Sequence, residues 1–155
     1  MKIKIIEIGK TQSKDWQALI DEYIKRANKY STVELITLNP KCNKTEINAV
    51  RDFEGKHLIS FLADSKQNVV LLDEKGKEFS SVGFSQYIQK HQLSGKKELC
   101  FVIGGAYGFS EEVRTLYRET IALSQMTFTH QMIRLIFAEQ LYRSFTILAN
   151  EKYHH

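Results

Sequence analysis

At 155 residues the chain is long enough to bury a substantial core without needing a second domain. Its 43% apolar and 26% charged residues are those of a soluble globular protein, and no apolar run approaches the roughly 20 residues that span a bilayer. The net charge of +4 and a pI near 9.0 favour an anionic partner, while the opening MKIKIIEIGK is too short and too alternating for a secretory signal.

In chain order, apolar β-rich segments are expected at 2–8, 33–38, 69–73, 99–104 and 121–128. Between the first two, Trp16, Leu19, Ile20, Tyr23, Ile24 and Ala27 recur at helical spacing. Ile47, Val50, Leu58, Phe61 and Leu62 predict a second helix starting near Thr45. Val82, Phe84 and Ile88 predict a third behind Ser80 or Ser81, and Ser110 with Glu111 and Glu112 caps a fourth. The runs VVLLD and LCFVIGG are continuously apolar, as strands covered on both faces are. Strands alternating with helices predict an α/β fold, a mostly parallel sheet flanked by helices, in one domain over 1–155. A fifth helix, from about Gln131 to Ala149, is apolar nearly all round; it is either a central core helix or one covered by a partner subunit.

Strand ends that stop in small or polar residues suit a ligand at the carboxyl edge of a parallel sheet. GGAYG at 104–108 and the polar elbow after LSQMTF at 123–128 are such ends. Leu72 and Met126 read equally well as core. The first strand ends in one glycine only, Gly9, so the dinucleotide fingerprint and the similar loop of classical methyltransferases are absent, as is a phosphate-binding P-loop. No serine sits in GxSxG. Cys42 and Cys100 stand far apart with no histidine at ligand spacing, which predicts two reduced thiols in a cytoplasmic protein and no metal site. Glu139 and Arg143, four apart, are either a surface ion pair or, with Arg134, one polar stripe facing a reaction centre. Lys10, Lys14, Arg26 and Lys44 are candidate phosphate contacts.

The blocks MKIKIIEIGK, VVLLDEKGKEFSS at 69–81, FVIGGAYGFS at 101–110, LSQMTFTHQMIRLIFAEQLYR at 123–143 and the terminal ANEKYHH span the whole chain. In combination they resemble the SPOUT-class methyltransferase H group, small bacterial enzymes that methylate N3 of a pseudouridine in large-subunit (23S) ribosomal RNA. The sequence departs at Thr129, where that group usually has proline, and at His155, where a basic residue is common. The resemblance implies a C-terminal trefoil knot, a homodimer, and S-adenosyl-L-methionine as cofactor. It places cofactor contacts on Leu72, Gly104, Gly105, Leu123, Ser124, Gln125, Met126, Thr127 and Phe128. For catalysis it suggests Glu139 or His154 as base, with Arg134 and Arg143 stabilising charge or holding phosphate. The expected substrate is 23S rRNA within the assembled 70S ribosome, with no membrane and no metal involved. The alternatives are another RNA such as tRNA, or a non-catalytic ribosome-binding factor on the same fold.

Overall fold

The computed structural model describes residues 1–63 and 68–153. In chain order its elements are β1 (Lys2–Ile8), α1 (Lys14–Ala27), β2 (Val33–Leu38), α2 (Ile47–Leu62), β3 (Asn68–Glu78), α3 (Ser81–Leu93), β4 (Glu98–Ile103), α4 (Glu111–Leu116), β5 (Thr120–Ala122) and α5 (His130–Leu148). The strands form one sheet in the order β2-β1-β4-β3-β5, and every neighbouring pair is parallel.

Side chains alternate across that sheet and so build two cores. Ile3, Ile5, Val70, Leu72, Leu99, Phe101 and Ile103 face α1, α3 and α5, where they meet Phe84, Ile88, Phe137, Leu141 and Phe145. Ile6, Ile8, Val69, Leu71, Cys100 and Val102 face α2 and α4 through Leu58, Leu62 and Val113. Burial on both faces explains the continuous apolar runs of β3 and β4. The Cys100 thiol lies deep in the second core, and burial pushes its pKa up to about 12.

The helices begin as their sequence signals predict, with one exception. Ser80 and Ser110 accept from the backbone N–H groups of Gly83 and Val113. At α2 the cap is Glu46 rather than Thr45; its carboxylate accepts from the N–H of Asn48 at 2.9 Å and of Ala49 at 2.7 Å. Two donors from the first turn, together with the positive helix end, favour a carboxylate over a hydroxyl there.

Two strands differ from expectation, and both differences shape the ligand edge. β5 stops at Ala122, so 123–128 form an irregular segment instead of a strand. β3 runs beyond Asp73 to Glu78 across an irregularity, pairing with β5 at Leu71 and Leu72 and again at Lys77 and Glu78. Between these pairings the chain bows out, turned by the Asp73 carboxylate accepting from the N–H of Lys75 at 3.0 Å. Gly76 then presses on the backbone of Thr120 and Ile121 so closely that no Cβ would fit.

Candidate functional site

A cleft of about 430 Å³ opens at the carboxyl ends of β3, β4 and β5. Leu72, Ile103 and Ile121, buried apolar residues of these three strands, line it. GGAYG forms one wall. There Gly105 and Gly108 pair as a tight turn, the Gly108 N–H donating to the Gly105 carbonyl at 3.1 Å. Gly108 has φ +73°, a conformation that a side chain disfavours. Residues 123–128 form the opposite wall.

Of the residues expected to hold a cofactor, Leu72, Gly104, Gly105, Leu123, Ser124, Met126, Thr127 and Phe128 all line this cleft. Gln125 does not, because its amide donates to Glu78 at 3.3 Å. Met126 is 73% exposed, which removes the reading of it as core, whereas Leu72 belongs to both the core and the cleft floor. The 123–128 wall is held by polar ties: the Thr127 hydroxyl donates to Glu74 at 2.7 Å, and the Met126 N–H donates to the Ser124 hydroxyl at 2.9 Å. Thr129 then caps α5 by accepting from the Met132 N–H at 3.2 Å. Its φ of −62° is the value a proline ring imposes, so threonine keeps the elbow a proline would make and adds a cap.

The expected stripe of Arg134, Glu139 and Arg143 is divided in the structure. Five residues at 3.6 per turn place Arg134 roughly 140° around α5 from Glu139. Arg134 is 2% exposed and belongs to the buried face. Its Nε stands 3.3 Å from the Glu7 carboxylate on β1. Its Nη2 donates to the Ile8 carbonyl at 2.7 Å and its Nη1 to the Thr11 hydroxyl at 3.0 Å. Burial pulls the guanidinium pKa down while Glu7 opposes the shift. Arg134 is therefore an anchor between α5 and β1, and it does not line the cleft.

Glu139 and Arg143 do meet, farther along α5, and they are more than a simple pair. Glu139 Oε1 accepts from Arg143 Nη2 at 2.5 Å and from the Tyr153 hydroxyl at 3.2 Å, and its Oε2 accepts from Gln140 at 2.8 Å. The Arg143 guanidinium lies over the Tyr153 ring, 4.8 Å from its centre. Both oxygens of Glu139 are thus engaged, tying Arg143, Gln140 and Tyr153 together. Neither Glu139 nor Arg143 lines the cleft. His154 lies outside the described residues.

Sequence reasoning passed over four residues near this cleft. Arg114 and Asp73 both line it and pair with one another, Asp73 being almost wholly buried. Arg51 lines it from α2, and Glu54, one turn farther on, abuts Gly105. Nothing in their spacing marks them, since three elements distant in sequence bring them together. Among the candidate phosphate contacts, Arg26 is engaged with Glu22 at 2.9 Å and Lys44 sits over the Phe53 ring. Among the described residues no group of His, Cys, Asp and Glu side chains is placed to hold a metal ion, and no helix is long and apolar enough to cross a membrane.

Residues 1–154 match the family model described as predicted SPOUT methyltransferase. The chain is 50% identical over 157 residues to the ribosomal RNA large subunit methyltransferase H of Flavobacterium johnsoniae, across 100% of this chain and 99% of that one. It is 51% identical over 158 residues to the protein of the same name from Christiangramia forsetii, with the same coverage. Among solved structures, a probable methylase family protein from Haemophilus influenzae Rd KW20 shares the fold, with a TM-score of 0.57 at 12% identity over 99% of this chain and 70% of that chain.

Proposed function

Because the chain belongs to the SPOUT methyltransferase family, we propose that it transfers a methyl group from S-adenosyl-L-methionine to N3 of a pseudouridine in 23S rRNA. In this reading a single domain with a C-terminal trefoil knot works as a cytoplasmic homodimer on the assembled 70S ribosome. The observation that carries it is the cleft: eight of the nine residues named by motif, all but Gln125, line one cavity of a size suited to a nucleoside cofactor. Its apolar floor suits an adenine ring, and backbone groups at irregular strand ends suit the ring edge and a ribose. When bound, the cofactor supplies an electrophilic methyl group.

The chain's own residues then have to align the target and handle one proton. An N3 imide is a poor nucleophile until it loses its proton, so a base beside it speeds transfer. We assign that role to His154, next in sequence to Tyr153. Arg143 stabilises the negative charge that develops on the target base or holds a neighbouring phosphate, and Glu139 orients Arg143 and Tyr153. A dimer is what lets these residues act at a cleft they do not line: the Glu139 cluster of one protomer serves the cleft of its partner. In support, α5 leaves Met132 exposed and Leu135 and Ile136 only partly covered, in line with Glu139.

Methyl transfer from radiolabelled cofactor to 70S ribosomes, 50S subunits, bare rRNA and tRNA tests the reading. Label in the 23S rRNA of 70S ribosomes, mapped to a pseudouridine, is the expected outcome. Label in tRNA would move the substrate, and no transfer with no cofactor binding would leave a ribosome-binding factor.

A further inference from the structure

We propose that Arg51 and Glu54 form a subsite for an amino-acid zwitterion at the GGAYG end of the cleft. It would read the carboxylate and amino groups in the methionine tail of S-adenosyl-L-methionine, and so it rests on the cofactor reading above.

The two residues lie three apart on α2, hence on one side of the helix, and that side faces the GGAYG turn. The cleft has two arginines on its lining, in different states. Arg114 is neutralised by Asp73. Arg51 makes one bond, from Nη2 to Asn48 at 2.7 Å, and its Nε is buried without a partner. Glu54 is its counterpart: Oε2 is buried without a partner, and the carboxylate lies so close to Gly105 that any side chain at 105 would strike it.

Buried polar atoms without partners are uncommon, and two of opposite sign near one loop are rarer. They do not satisfy each other, since no ion pair forms between them among the described residues. Burial pushes the Glu54 carboxyl pKa up, the behaviour of an acid lacking a cation. A ligand answering both residues must bring an anion and a cation a few bonds apart, as an α-amino acid does. The nucleoside end is provided for elsewhere, by the apolar floor and the 123–128 wall. The tail is then left for the remaining end, where the unmatched charges stand.

Two nucleosides separate this subsite from the rest of the cleft. S-adenosylhomocysteine carries the zwitterionic tail, and 5′-methylthioadenosine keeps the nucleoside and thioether but lacks it. Calorimetric titration of both is expected to show wild-type protein preferring S-adenosylhomocysteine. Arg51→Met and Glu54→Gln should each weaken S-adenosylhomocysteine about tenfold or more, in keeping with loss of a charge-assisted bond, and leave methylthioadenosine within about twofold. Equal wild-type affinities, or parallel loss of both ligands in the variants, would overturn the subsite while keeping the cofactor reading. Unchanged affinity for both ligands with slowed methylation of ribosomes would overturn it and assign Arg51 to the RNA. Failure of the wild type to bind either nucleoside would overturn the subsite and the cofactor reading together.

Discussion

Arg134 illustrates how much a single residue's role depends on which way its helix is turned. On a helix otherwise nearly all apolar it reads as part of a reactive stripe, but the guanidinium is spent on Glu7 and on the chain just after β1. Glu7 is itself buried and accepts from Thr37 at 2.8 Å. Removing one member of such a pair leaves the other as an uncompensated buried charge. Arg134→Met should therefore destabilise the fold by about 3–5 kcal/mol, and adding Glu7→Gln should recover a large part of the loss. Urea unfolding of the two single variants and the double variant measures this coupling; simple additivity would contradict the pairing.

At the scale of elements, the decisive contact is the irregular parallel pairing of β3 with β5. Gly76 packs on main-chain atoms of Ile121, and a Cβ at this position would approach them to 2.6 Å. Backbone on both sides of the contact cannot yield as a side-chain tip does, so Gly76→Ala should cost about 1–3 kcal/mol or more by overpacking. The same displacement would reach Asp73, Glu74 and the 123–128 segment, which together frame the cleft. Weaker binding of S-adenosylhomocysteine should accompany the lower melting temperature. A variant as stable as wild type with unaltered binding would show that this contact tolerates a methyl group. Thr129 makes the opposite point, because a residue that departs from the expected proline keeps the same backbone angle.

For the whole molecule, a histidine buried in the core shapes the response to pH. His91 lies on the α3 side of the sheet with Nδ1 buried and unpartnered; its ring lies tilted against that of Tyr87, and its Nε2 stands 3.8 Å from Glu119. Burial pushes its pKa below the ordinary value of 6.5, and Glu119 only partly opposes this. The unfolded chain thus takes up the proton first, at about pH 6.5, so stability is fully present above that pH and is lost as pH falls toward the folded pKa. His91→Gln should flatten the decline of melting temperature between about pH 7 and 5. An unchanged slope would show that His91 does not govern it.

Local chemistry in the chain was enough to determine the alternation of strands and helices, the start of α3 at Ser80 or Ser81, the cap at Ser110, and the glycine-rich turn after β4. Each depends on periodicity or on residues within a few positions of each other. The resemblance alone named the expected cofactor contacts, and eight of those nine residues share one cleft. What only the tertiary structure decided are the relations between distant segments: β3 bowing out and returning to β5, Arg134 meeting Glu7, and Arg114 meeting Asp73. The same is true of Arg51 and Glu54 converging on GGAYG from the opposite layer. The physical reason is that a pattern of apolar spacing specifies which face of an element is buried. Its partners are specified by packing over the whole sheet, and the polar residues at the cleft carry no periodic signal of their own.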